Sequence, residues 1–139
     1  MSGDAVGLLD TSAVILLGGL DPALLPIESR ISAITLAELS VGPLVAMTDA
    51  ERAARQAHLQ YAEADFEPMP FDAAAARAFG QVAASLRAAG RKTSARSFDA
   101  MIAATAIAEG IPLYTVNPRD FEGIANLVVV ALPHPEANR

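Results

Sequence analysis

The sequence has no cysteine and no tryptophan. Without cysteine there is no disulfide framework, no thiolate metal site and no cysteine nucleophile, which agrees with a reducing cytoplasm. Aromatic residues make up only 5% of the chain, leaving few rings for a base-stacking platform. Basic residues are also scarce: 10 against 16 acids, for a net charge of −6, with Lys92 the only lysine. That balance is the reverse of what a nucleic-acid binder usually shows. The longest apolar runs fall well short of the roughly 20 residues that span a bilayer. Near the N-terminus, Val14 to Leu17 imitates the apolar part of a signal peptide. Asp4 and Asp10 stand where positive charge belongs, however, and no small-residue cleavage site is evident. The expectation is a cytoplasmic protein without a membrane segment.

What is present is aliphatic. Hydrophobic residues reach 53%, and 139 residues suit one domain, spanning 1–139, with a sizeable core. Short apolar runs alternate with helical stretches. Val6–Leu9 and Ile31–Ile34 read as buried strands, Pro68–Phe71 as a short one, Leu113–Val116 as another, and Leu127–Val130 as the most β-branched of all. Thr48 to Glu51 matches a capping box ahead of a helix running to Asp65. Asp72 can cap an alanine-rich helix ending near Gly90, and a further helix spans Ser97 to Glu109, stopped by Gly110 and Pro112. This alternation predicts a three-layer α/β/α domain on a mostly parallel sheet.

Functional groups in such sheets gather beyond the carboxyl ends of the strands. Four acids are expected there. Asp10 follows the first strand, Glu38 lies in the helix after the second, Asp99 sits in the first turn of the late helix, and Asp120 follows the Leu113 strand. Each also has an ordinary explanation. Asp10, Asp99 and Asp120 suit helix or turn ends, and Thr35 to Glu38 by itself matches a capping box. Together they are harder to assign to capping. Two unit charges about 4 Å apart repel by about 4 kcal/mol at an effective dielectric near 20. Protonation or a divalent cation must relieve that repulsion, and oxygen donors without His or Cys select magnesium or manganese over zinc. Phosphodiester hydrolysis is the chemistry that suits such a site.

Four blocks then carry a resemblance: LLDTSAV (8–14), ITLAEL (34–39), DAMIAATA (99–106) and TVNPRDF (115–121). In this order they resemble the PIN-domain ribonucleases, and among them the VapC-type toxins of bacterial toxin–antitoxin pairs, over nearly the whole chain. The resemblance implies a PIN fold and a magnesium-dependent endoribonuclease, with manganese able to substitute. It also implies a protein antitoxin and a homodimer. It assigns metal binding first to Asp10 and Asp99, with Glu38 completing the pocket. The fourth place falls to Asn117 or Asp120, in a block where family members vary; Asp120 is favoured as the acid, with Asn117 as a supporting polar group. Thr11, Ser12 and Thr115 match small hydroxyl positions able to orient carboxylates or water. Arg87, Arg91, Lys92 and Arg96 fall within ten positions; this reads as a solvated helix end, or, given the resemblance, Arg91, Lys92 and Arg96 as contacts to RNA phosphates. His58, mid-helix, and His134, in a proline-flanked tail, are not placed for acid–base work.

Two other readings compete. An aspartyl-phosphate phosphatase or phosphotransferase would use Asp10 as nucleophile, but the second Asp usual two places later is Ser12 here. A non-catalytic PIN-like binding module would keep the fold and lose the acids, whereas all the matched acids are intact.

Overall fold

The computed structural model describes residues 4–138. Four short strands form one parallel sheet: β1 (Val6–Leu9), β2 (Glu28–Arg30), β3 (Leu113–Thr115) and β4 (Val129–Ala131), in the spatial order β2-β1-β3-β4. Leu8 of the central strand faces Arg30 on one side and Leu113 on the other, and Tyr114 pairs with Val130. Five helices connect and cover them: α1 (Thr11–Ile15), α2 (Ala33–Val41), α3 (Asp49–Asp65), α4 (Ala73–Ala88) and α5 (Ser97–Glu109).

Successive strand residues point to opposite faces, and this splits the core in two. Leu8 and Leu113 pack with Val82 and Leu86 of α4 and Ile102 and Ala103 of α5. Leu9 and Tyr114 pack on the other face with Ala13 and Val14 of α1, Leu39 of α2 and Ala62 of α3. The result is the expected three layers. Helix α2 contributes Ile34 to the first cluster and Leu39 to the second, so it reaches both sides of the sheet.

Several helix boundaries follow from local chemistry. Asp72 Oδ1 accepts from the Ala75 amide at 3.0 Å to start α4, and Gly110 closes α5 at φ +67°, a left-handed conformation that glycine adopts without strain. Thr48 Oγ1 accepts from the Glu51 amide, but Glu51 reaches past the cap to the Met47 amide, so the box is displaced by one residue.

Three strand expectations shift. The second strand is Glu28–Arg30, earlier than the apolar Ile31–Ile34 run. Glu28–Arg30 is paired only to β1, which tolerates its polar side chains, while Ser32 caps α2 and turns Ile34 into a helix residue. Pro68–Phe71 contributes a single parallel bridge, Ser32 to Met69, with Met69 N donating to Ile31 O at 2.9 Å. The last strand starts at Val129 rather than Leu127.

Candidate active site

The carboxyl end of β1 leads directly into the site. Asp10 is 4% exposed and is the N-cap of α1, so its capping reading holds at the position where the sequence also expects a site acid. Its Oδ1 accepts from the Ala13 amide at 2.9 Å and from Ser12 Oγ at 2.7 Å, and its Oδ2 accepts from Thr115 Oγ1 at 2.5 Å. Thr115, buried at the end of β3, is oriented in turn by the Asn117 amide, 2.9 Å from its hydroxyl. A carboxylate offers about four acceptor positions, so Asp10 is fixed by three donors with capacity left over.

Glu38 lies on α2, and its Oε1 accepts from Thr11 Oγ1 at 2.7 Å. This overturns the capping-box reading of Thr35 to Glu38. The cap of α2 is Ser32, whose Oγ accepts from the Thr35 amide at 3.0 Å, leaving Glu38 to face α1. Asp99 stands in the first turn of α5, as expected, and its carboxylate meets no hydrogen-bond donor or salt-bridge partner among the described residues. Asp120 sits in the short 3-10 turn Pro118–Phe121 after β3 and accepts from Arg96 at 2.8 Å, a half-exposed ion pair.

Electrostatics shows that the four acids share one region. Burial pushes the Asp10 carboxyl above its usual value; its three donors pull against this, and the charge of Asp120 adds to it. Glu38 is raised by burial, and by Asp10, against the Thr11 hydrogen bond. Asp99 is pushed up to about 6, first by burial and then by Asp120, Glu38 and Asp10, with Arg96 alone opposing. Chain segments far apart in sequence have thus been folded into one field of like charge. Glu38, Arg96 and Asp99 line a cleft of about 460 Å³ with the half-exposed Phe98 at its edge.

Of the residues singled out from sequence, Thr11, Ser12 and Thr115 each touch a site acid through a hydroxyl. Asn117 acts through its backbone amide, and its exposed side chain contacts none of the acids. The bases divide. Arg96 is committed to Asp120, Arg91 donates to the Glu122 carbonyl at 2.6 Å, and Lys92 is exposed with no partner among the described residues. Two buried hydroxyls near the site went unrecognised in the sequence, Ser32 and Thr35. The only signal was Thr35 three residues before Glu38, and a capping box explains that spacing equally well.

The donor set is hard oxygen only, it is mutually repulsive, and among the described residues Asp99 has no hydrogen-bond or salt-bridge partner. That combination fits a hydrated divalent cation. Among the described residues no group of three Asp, Glu or His side chains is arranged to hold a metal ion between them. Magnesium, which keeps several waters and needs only one or two carboxylates, accepts such an arrangement.

Comparison with known proteins agrees with this architecture. Residues 8–127 match the PIN domain family. The chain is 38% identical to Ribonuclease VapC5 of Mycobacterium tuberculosis over 132 residues, covering 91% of this chain and 95% of that protein. It is 34% identical to Ribonuclease VapC4 of the same organism, covering 76% and 78%. The crystal structure of a member of the VapBC family of toxin–antitoxin systems, VapBC-5 from Mycobacterium tuberculosis, superposes with a TM-score of 0.78 at 37% identity, covering 91% of this chain and 98% of that one. With a family match across most of its length, and curated relatives 38% and 34% identical over the aligned residues, the chain belongs to the PIN domain family, in its VapC branch.

Proposed function

We propose that this protein is a magnesium-dependent endoribonuclease, the toxin of a toxin–antitoxin pair, and that Asp10, Glu38, Asp99 and Asp120 form its active site. The observation that carries the reading is the position of Asp99. Among the described residues its carboxylate has no hydrogen-bond or salt-bridge partner, and burial and three neighbouring acids push it up to about 6 against Arg96, in a chain whose relatives are ribonucleases.

A divalent cation, when bound, supplies the positive charge that offsets the scissile phosphate and eases deprotonation of the attacking water. The chain's own part is positioning. Ser12, Thr115 and the Ala13 amide hold Asp10 in one orientation, Thr11 presents Glu38, and Arg96 tethers Asp120 at the rim. Asp99 supplies the least satisfied charge. No side-chain nucleophile is called for. The aspartyl-phosphate alternative lacks its usual second acid, since the residue two places after Asp10 is Ser12. RNA as substrate, a cognate antitoxin, a homodimer and a cytoplasmic setting complete the proposal. Among the described residues no helix is long and apolar enough to cross a membrane.

The test is RNA cleavage by antitoxin-free protein with magnesium, with excess chelator, and after magnesium or manganese is restored. Cleavage should stop with chelator and return with either ion. Full cleavage in chelator would sink the metal assignment, and intact RNA under every metal condition would sink the nuclease.

Of the three bases singled out from sequence, Lys92 is the one left free to meet a phosphate, because Arg91 and Arg96 are already paired. Lys92→Ala should raise KM for RNA. It should also reduce the slope of log affinity against log salt by about 0.7, the value of one phosphate contact on a single strand. An unchanged slope in a salt series removes Lys92 from the interface.

A further inference from the structure

We infer that Thr35, which touches neither substrate nor metal ligand, is a positioning residue that fixes Glu38 through Thr11. The inference rests on Glu38 being one of the site acids. Three hydroxyls line up behind that carboxylate. Thr11 Oγ1 lies 2.7 Å from Glu38 Oε1, Thr35 Oγ1 lies 3.0 Å from Thr11 Oγ1, and Ser32 Oγ lies 3.4 Å from Thr35 Oγ1.

The direction of the chain follows from counting protons. An ionised carboxylate only accepts, so the single hydroxyl proton of Thr11 is spent on Glu38. Between Thr11 and Thr35 the donor must then be Thr35. Ser32 Oγ already accepts from the Thr35 amide, and its own proton faces Thr35 Oγ1. All three O–H bonds therefore point toward Glu38, and each polarises the next. The Ser32 link is long for an O–H···O bond, so the relay depends chiefly on Thr35 and Thr11.

Burial shows that this arrangement is specific to the position. Thr35 and Ser32 are 0% exposed, in surroundings where an aliphatic side chain would fill the same space. Two other helical hydroxyls instead bond their own helix: Thr105 donates to the Met101 carbonyl at 2.9 Å and Ser40 to the Leu36 carbonyl at 2.7 Å, each four residues back. Thr35 lies in the first turn of α2, where the residue four back, Ile31, precedes the helix, and its hydroxyl turns to α1 instead. Because Thr11 directly follows Asp10, the relay locks the spacing between two site acids carried by different helices.

The experiment compares wild type with Thr35→Val, Thr35→Ser, Glu38→Gln and the Thr35→Val/Glu38→Gln double variant. In metal-free protein, NMR scalar couplings report whether the Glu38 side chain holds one rotamer. In the loaded protein, manganese affinity and RNA cleavage are measured. Thr35→Val should let Glu38 average over rotamers and weaken manganese binding by about tenfold, the lower end for losing a partner of a ligand. Thr35→Ser should restore both, and the double variant should bind manganese no more weakly than Glu38→Gln alone. A single Glu38 rotamer in Thr35→Val, or losses that add in the double variant, would overturn the relay. If Thr35→Val does not fold, Thr35→Ala, which removes the same hydroxyl and leaves space, gives the same reading. A wild-type protein that neither binds manganese nor cleaves RNA would defeat the nuclease reading alone, since the rotamer measurement needs no metal.

Discussion

Asp99→Asn is expected to abolish RNA cleavage and, at the same time, to raise the melting temperature of the metal-free protein at neutral pH. The loss of activity should exceed the roughly 10–100-fold typical of removing a ligand's partner, because here the proposed ligand itself is lost. The gain in stability comes from the same charge. The N-terminal dipole of α5 favours an acid in its first turn by about 0.3–1 kcal/mol. The carboxyl of Asp99 is nevertheless pushed up to about 6, so burial and its three acidic neighbours outweigh the dipole. A raised acid holds its proton more tightly folded than unfolded. Its stabilising contribution is complete below the unfolded value of 3.8 and is lost as pH rises through about 6. Asp10 and Glu38 shift in the same direction and reinforce the slope. Thermal melts of metal-free wild type should therefore fall from pH 4.5 to pH 7, and Asp99→Asn should flatten that dependence without removing it. A variant that melts lower than wild type at pH 7, or that still cuts RNA, contradicts the assignment.

Gly7→Ala should be among the most damaging single-methyl changes in the chain. A Cβ at Gly7 would lie 2.5 Å from Tyr114 Cε1 and 2.8 Å from its Cδ1, with Pro26 Cγ at 3.0 Å. The ring cannot step aside easily: Tyr114 is 0% exposed, and its hydroxyl donates to Asp4 at 2.6 Å. Overpacking of this kind costs about 1–3 kcal/mol, equivalent to a fall of roughly 3–10 °C in Tm for a domain of this size. Because Tyr114 immediately precedes Thr115, which holds Asp10, displacement of β3 should also reduce cleavage. The check is a double-mutant cycle with Tyr114→Leu, which opens space beside Gly7. The pair should cost less than the sum of the singles, and strictly additive losses would show that the ring is not what the methyl meets.

The positions of three of the four acids were legible because each is announced locally. Asp10 ends an apolar run and opens a helix, Asp99 sits in a helix first turn, and Asp120 follows a strand in a proline-containing turn. The late helix was legible to the residue, since Gly110 and Pro112 stop it. The second strand was misplaced because apolarity marks burial rather than strand. Ile31 is buried as expected, yet the paired residues are the polar Glu28–Arg30 just before it.

By itself, then, the sequence determined what rests on neighbours along the chain: the alternation of strands and helices, the caps at Asp72 and Thr48, the glycine stop at Gly110, and the supply of carboxylates at strand ends. Only the tertiary structure decided which hydroxyl serves which acid, that Arg96 is spent on Asp120, and that Glu38 answers to α1 rather than to its own helix cap. Those contacts join residues 24, 27, 24 and 105 positions apart, as in Thr11 with Thr35 and with Glu38, Arg96 with Asp120, and Thr115 with Asp10. Hydrogen bonds reach about 3 Å and depend on direction. Such partners are set by how two elements pack, and no local pattern of residues encodes that.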